Sequence, residues 1–468
     1  MNSVFNNDFN ISKWIVGFEG IADINENEKP LHTFEELLNW VNQYKKNHNV
    51  LIKKISLEES TPWFYDKEIG QIRNTDRSFF QISGIKAYYP DNRLIEQPII
   101  IQNEIGYLGV VCKKFNNVWH FLMQAKIEPG NINYVQISPT IQATNSNFSR
   151  KHGGKEPLYL DLFVNMNKKD ILVDQIQSEQ SSRFLGKRNR NVIIKSDSEI
   201  EELPSHRWMT LYQIRECMKY DNLVNMDTRT VLSCIPYVFM IDNINGYSDE
   251  FITSIRHINH DDIIDLYLRI NNYKMFYAPK KEIVPLSVLG QWNFADDRFK
   301  HKEKYPFEII FCNLNIEGRE VSRWNQPLFA AMGVATFGLV CSLNEGCYEV
   351  LVQVKPEIGC FDSVELGPSV QEEFGNAAIR DIVADSFFEL LESRANIVFD
   401  VMLSEEGGRF YHEQNRNVIL LVEKREFKYN PDRYVWVSLG TLNALTQINN
   451  CLNIQLRNLL MLLSMYTK

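Results

Sequence analysis

Gln124-Ala-Lys-Ile-Glu-Pro-Gly-Asn131 and Gln353-Val-Lys-Pro-Glu-Ile-Gly-Cys360 are one stretch written twice, 229 residues apart. Working outward from it, Val111-Cys112 falls on Val340-Cys341, Gly109 on Gly338, Gln97-Pro98 on Gln326-Pro327, Pro139 on Pro368, Gln142 on Gln371 and Trp63 on Trp292. From Gln97 to Gln142 the two copies share 13 of 46 positions without an insertion, against about 3 from average residue usage. The register continues at an offset of 226, where Ser178-Glu179, Arg183-Phe184 and Asn189-Arg190-Asn191-Val192-Ile193 meet Ser404-Glu405, Arg409-Phe410 and Asn415-Arg416-Asn417-Val418-Ile419. At 228, Trp208, Leu211, Asn222, Asn225 and Arg229 meet Trp436, Leu439, Asn450, Asn453 and Arg457. Length changes therefore sit in loops while packed elements keep their spacing. The division expected is an N-terminal arm over 1–30, a first repeat over 31–235, a linker over 236–260 and a second repeat over 261–468, each repeat large enough for a domain of its own.

Hydropathy supplies the elements inside each repeat. Thr33-x-x-Glu36 ahead of the Phe34, Leu37, Leu38, Val41 stripe predicts a capped amphipathic helix over 33–46. The period then changes to two. Stretches 79–88, 97–102, 107–115 and 118–127 predict strands, as do 307–316, 326–331, 336–343 and 347–355 in the second copy, all broken by Asn-, Asp- or Gly-containing turns. A short strand at 192–195 and helices over 209–219 and 228–235 complete the pattern. The fold class expected is α+β, with a mixed sheet flanked by helices in each repeat.

Composition narrows the function. A chain of 468 residues with 44% hydrophobic content and 23% charge is globular, and its net charge of −9 leaves no footprint for nucleic acid. The first twenty residues lack a basic segment followed by an apolar run, and no stretch approaches the length of a membrane span, so no membrane association and a cytoplasmic location are expected. The eight cysteines are dispersed without a Cys-x-x-Cys pair, and His257 and His260 have no third ligand nearby in sequence. Neither disulfides nor a metal site are expected.

Chemistry concentrates in three segments. Alternation along a strand places Gln124, Lys126 and Glu128 on one face, and their retention in both copies argues that they line something. Beyond Gly130, Asn131, Ser138, Thr140, Gln142, Thr144, Ser146 and Asn147 offer hydroxyls and amides suited to a neutral polar ligand such as a sugar. The loop Arg150-Lys-His152-Gly153-Gly154-Lys155, with no counterpart in the second copy, could approach an anion closely. The run Arg183-Phe-Leu-Gly-Lys187-Arg188-Asn189-Arg190 suits a diphosphate, because Arg forks match phosphate oxygens. A polar surface loop or a solvated charged turn would read the same way. Trp63 or Trp208 could stack on a base, although a Trp at the same place in both repeats also suits a core.

These same residues resemble the NDP-hexose 2,3-dehydratase family. The carriers are Gln97-Pro-Ile99, His120 through Asn131, Ser138-Pro-Thr-Ile-Gln142, Asn147-Phe-Ser-Arg150-Lys-His-Gly-Gly154, Ser181-Ser-Arg-Phe184, Asn189-Arg-Asn191 and Asn225-Met-Asp-Thr-Arg-Thr-Val-Leu232, with Ser322-Arg-Trp-Asn-Gln-Pro327 and Val364 through Gln371 in the second copy. The resemblance implies a tandem pair of Nudix-hydrolase-like modules in a homodimer, with a nucleotide pocket possible in each. Gly359-x5-Glu365 reproduces the head of a Nudix box, but the glutamate tail that holds Mg²⁺ is missing from both copies, so the diphosphate should be bound and left intact.

The implied reaction removes water across C2–C3 of a nucleotide-linked 4-keto-6-deoxyhexose, dTDP-4-keto-6-deoxyglucose in type, to give a 3,4-diketo-2,6-dideoxyhexose. It needs two proton-transfer groups and no cofactor. Glu128 and His152 are the candidate acid and base, in either order, with Lys126 and the neighbouring hydroxyls orienting the C4 ketone. The second copy keeps Lys355, Glu357, Arg409 and Arg416 but lacks the His-Gly-Gly loop, so its pocket is expected to be vestigial or to bind nucleotide only. The competing readings are a non-catalytic nucleotide-sugar sensor or scaffold serving a downstream 3-ketoreductase, and a Nudix-type hydrolase.

Overall fold

In a computed structural model of the chain, which describes residues 17–24, 29–77, 79–144, 157–240, 244–319, 321–375 and 380–464, the period-two stretches form strands in two pairs of sheets. The helix Phe34–Lys46 opens the first repeat with the capping box intact, Thr33 and Glu36 each bonding the other's backbone N–H, and buries Leu37, Trp40 and Val41.

Each repeat then builds two sheets. In the first, Trp63–Asp66, Gln71–Asn74, Gln81–Tyr88 and Leu94–Ile101 form an antiparallel meander. The second sheet runs Ile171–Ser178, Arg188–Lys195, Gly106–Phe115, Val118–Ile127, His206–Met209, and is mixed because Arg188–Lys195 lies parallel to Gly106–Phe115. The later copy repeats this arrangement, with Gln414–Leu421 parallel to Ala335–Asn344. Gly109 and Gly338 owe their retention to packing: a Cβ on either would meet the ring of Phe163 or Phe387 at 2.4 Å.

The halves are not side by side but interlocked. Strand Val50–Ile55 of the first repeat pairs with Phe307–Ile316 of the second, Val50 opposite Ile316, while Lys280–Val284 of the second pairs with Gln81–Tyr88 of the first, Lys280 opposite Tyr88. Each repeat thus lends a strand to the other's meander. Trp63, Phe80, Ile100 and Phe184 share one apolar core with Trp292, Phe307, Phe329 and Phe410, Phe184 and Phe410 meeting edge to face at 5.5 Å. Residues 236–260, read as a linker, contain the helices Tyr237–Met240 and Asp249–Arg256, which bury Tyr237, Met240, Phe251 and Ile255 in the main core.

A second exchange joins the two mixed sheets. Residues 180–187 and 406–413 form equivalent loops, each held on its own half by a repeated glutamine: Gln97 Nε2 donates to Ser182 O and Gln326 Nε2 to Gly408 O, both at 2.7 Å. Each loop then docks on the other half's repeated glycine, Gly130 N–H donating to Gly407 O at 2.7 Å and Gly359 N–H to Ser181 O at 2.8 Å. A Cβ on Gly130 would lie 1.5 Å from Phe410 O, and one on Gly359 1.9 Å from Phe184 O. Glycine is required at both because backbone touches backbone. No helix of the described residues is long and apolar enough to cross a membrane.

Candidate active site

The strand Val118–Ile127 carries Lys126 to the edge of a cavity of about 340 Å³, and the turn after it brings Glu128 to the same wall. Gln142 faces them across the short strand Ile141–Ala143, donating from Nε2 to Glu128 Oε1 at 2.9 Å while Lys126 Nζ donates to Gln142 O at 3.2 Å. Behind this wall Asn225, the N-cap of helix Met226–Leu232, donates to Ser138 Oγ at 3.2 Å, and Ser138 in turn donates to Gln142 Oε1 at 3.1 Å. Such a chain fixes the amide so that its N–H end points at the carboxylate.

The rest of the cavity comes from both halves. The first repeat adds Trp63, Asn74, Gln102, Thr144, Glu179, Lys187, Asn189 and Asp227; the second supplies Arg319, Trp324, Gln326, Glu406 and Arg409. Arg409 lies over the Phe80 ring at 4.4 Å and reaches Gln102 Oε1 at 3.3 Å. The resulting wall is rich in carboxyl groups held out of water. Burial raises Asp227 well above the usual carboxylate range, with Glu179, Glu128 and Glu406 adding to the effect. Burial likewise raises Glu179 and lowers Lys187, the two attracting one another. Glu406 is pushed up to about 7, by burial first and then by Glu128, against the pull of Arg409. A carboxyl held near neutrality, as Glu406 is, suits proton transfer.

The sequence-predicted residues separate into groups. Lys126, Glu128, Gln142, Thr144, Asn189 and Trp63 line the cavity. Ser138 stands behind it; Thr140 stitches the sheet, its Oγ1 accepting from Val111 N–H at 3.0 Å and donating to Leu122 O at 2.5 Å. Gln124 lies deeper on the strand, opposite His206 and Ser138. Asn131 is buried against Gly407 of the incoming loop. Trp208 sits in the core, edge to face with Phe115 at 5.1 Å. Ser146, Asn147, Arg150, His152 and Gly153 lie outside the described residues.

The basic cluster 183–190 does not stay together, because it spans a crossing loop and the strand that follows. Arg183 goes to the second repeat, where it bonds Glu373 at 2.6 Å and lies 3.7 Å from Glu413. Arg188 covers the ring of Phe361 at 3.8 Å. Arg190 forks onto Asp174 with two bonds of 2.6 Å on a half-exposed sheet surface, as Arg416 forks onto Asp400 at 2.9 and 2.7 Å. Arg409, expected at the second pocket, lines the first. The two loop arginines are exchanged between the halves.

At the second site Gln371 bonds Glu357 at 2.9 Å, in the same geometry as Gln142 and Glu128, with Lys355 beside them. Burial lowers Lys355 and raises Glu357. Arg183 and Glu373 act on Glu357 from close by, Arg183 pairs with Glu373 and lies 3.7 Å from Glu413, and the Tyr305 hydroxyl bonds Gln97 at 2.8 Å.

Sequence reasoning missed Glu179, Asp227, Arg319, Trp324 and Glu406. The signal was available: Glu179 and Glu405 coincide in the repeat register, which sets Glu406 next to a retained residue, and Asp227 and Trp324 lie inside segments that carried the family resemblance.

The chain is a doubled α+β protein whose cavity gathers buried carboxyl groups beside lysine and arginine, side chains of the kind that move protons and pair with anions. The family model described as NDP-hexose 2,3-dehydratase matches residues 34–235 and 265–463, and the chain belongs to that family. It is 36% identical to a dTDP-4-dehydro-6-deoxy-alpha-D-glucopyranose 2,3-dehydratase of Streptomyces violaceoruber, over 90% of this chain and 95% of that protein. Proteins described in the same words from Saccharopolyspora spinosa and Amycolatopsis orientalis are 33% and 31% identical, over 87% and 91% of this chain and 86% and 89% of theirs.

Proposed function

We propose that this chain is a hydro-lyase that eliminates water across C2–C3 of an NDP-4-keto-6-deoxyhexose, dTDP-4-keto-6-deoxyglucose by the names of its relatives, giving the 3,4-diketo-2,6-dideoxy sugar for deoxysugar biosynthesis. The observation that carries the reading is the placing of Glu128 and Lys126 together on the wall of a cavity closed by Arg409 and Arg319. The C4 ketone acidifies the C3 proton; a carboxylate removes it; the C2 hydroxyl leaves with a proton from a second group. Glu128 and His152 are the proton-transfer pair read from sequence, and Lys126 holds the ketone oxygen, where a cation stabilises the enolate that forms. Lys187, Arg319 and Arg409 suit the diphosphate, and Trp63 or Trp324 the base.

In this reading each half is a Nudix-hydrolase-like module, supported by its mixed sheet and by the Gly359-x5-Glu365 spacing. A homodimer is supported by the exposed apolar side chains Ile264, Leu268, Met275, Phe276 and Tyr277 on one helix and its extension.

Incubation with dTDP-4-keto-6-deoxyglucose tests the reaction. Release of maltol, or a trapped diketo sugar, is the expected result. Tight binding without turnover would make the protein a scaffold for a 3-ketoreductase, and Mg²⁺-dependent release of a nucleoside monophosphate would make it a hydrolase.

A further inference from the structure

The loop that crosses from the second repeat does more than close the cavity. Gly130 receives it on both sides, donating to Gly407 O and accepting from His412 N–H at 2.7 Å each, and this places the Glu406 side chain in the cavity wall with Glu128. Its Oε1 accepts from Gly408 N–H at 2.9 Å. The repeat-equivalent residue in the other loop is Gln180, whose amide is spent on Glu413 at 3.2 Å. The exchanged loops therefore deliver a carboxyl to one site and an amide to the other, at one and the same position.

We propose that Glu406, a residue of the second repeat, is the general acid of the site in the first, protonating the departing C2 hydroxyl while Glu128 takes the C3 proton. The inference rests on the dehydratase reading above. Glu128 first takes the C3 proton, leaving an enolate on the C4 oxygen; the enolate's electron pair then forms the C2–C3 double bond as the C2–O bond breaks, and the oxygen leaves as water with the proton of Glu406. The enol then takes a proton at C2 and releases the one on its C3 hydroxyl, which returns both carboxyls to their starting states. The surroundings of Glu406 fit the acid role: burial first, then Glu128 and Glu179, discourage its ionisation, Arg409 and the Gly408 N–H limit the effect, and its pKa stands at about 7, with Asp227 and Lys187 also on the cavity wall.

The test uses the whole chain and dTDP-4-keto-6-deoxyglucose. Glu406→Gln should lower kcat by roughly 10²–10⁴-fold while KM stays within about threefold of the parent. The parent's activity should fall as pH rises through about 7, and this limb should be absent from Glu406→Gln and present, at a reduced rate, in Glu406→Asp. In D₂O, substrate recovered from Glu406→Gln should still gain deuterium at C3, whereas that from Glu128→Gln should not. Binding of thymidine diphosphate verifies that each variant keeps its pocket. A Glu406→Gln protein with near-parental kcat, or one that binds the nucleotide but loses C3 exchange along with turnover, overturns the assignment. Failure of the functional reading itself would look different, since the parent would then form no diketo sugar.

Discussion

The two sites of this chain have the same frame and opposite contents. Both set a Lys-x-Glu pair at the end of a strand, both orient the glutamate with an amide from a facing strand, and both anchor that amide on the N-cap asparagine of a buried helix. At the second site Glu373 and Glu413 stand where the first has Thr144 and Lys187, and they hold Arg183 in a buried ion-paired cluster. At the first, the equivalent Arg409 faces a cavity together with Glu406. One frame can thus carry two different sets of groups, one facing a cavity and the other satisfying its own charges from inside.

The sharpest break of this comparison is a matched pair of substitutions. Glu128→Gln should lower turnover by roughly 10²–10⁴-fold, while Glu357→Gln leaves it within about twofold; equal losses would mean that both sites work. Arg183→Met should act on stability instead. It strands Glu373 and Glu413 without a counter-charge, which costs on the order of 3–5 kcal/mol in denaturant unfolding, whereas Arg409→Met should cut turnover more than stability.

A smaller effect separates Glu365 from Gln136, which occupy equivalent positions and each accept one bond from a serine hydroxyl of the other half, Ser178 at 2.8 Å and Ser404 at 2.9 Å. Burial, relieved in part by Ser178, pushes Glu365 up to about 8 from 4.5. A folded value above the unfolded one means that its stabilising contribution is whole below about pH 4.5, declines as pH rises, and is lost above about 8. Glu365→Gln should flatten that decline and raise stability at pH 9 by a few kcal/mol; an unchanged pH profile of the melting temperature would refute the sign. Smallest of all, Arg190→Ala should cost less than about 1 kcal/mol, since a half-exposed ion pair contributes little. A large rise in KM for that variant would instead assign Arg190 to the substrate.

How far the sequence reached depends on where each residue's partners lie. Alternation fixed the strands around Lys126 and Glu128 and set both toward one wall, because a strand's faces are decided locally. The predicted strand at 118–127 coincides with Val118–Ile127. Strand Val50–Ile55 carries the same kind of pattern, but its partner is 256 or more residues away in the other repeat, Ile316 beginning opposite Val50 and Phe311 ending opposite Ile55, and no local period encodes that. The same distance hid Glu406 and sent Arg183 and Arg409 to each other's expected places. Gly130 and Gly359 were visible as repeated glycines, yet only the opposing carbonyls explain them. Trp63 and Trp208 looked alike as repeated tryptophans; both are buried in apolar cores, and Trp63 also borders the cavity.

The lent strands have a consequence for ancestry and for engineering. A single copy of this module would leave the Gln81–Tyr88 meander short of the edge strand Lys280–Val284 and its cavity without Arg409 and Glu406. Such a module could be complete only by exchanging parts with a twin, so the chain has the construction of a swapped dimer joined end to end. Joining made the two partners heritable as one unit, and from then on a change in one loop no longer had to suit both sites.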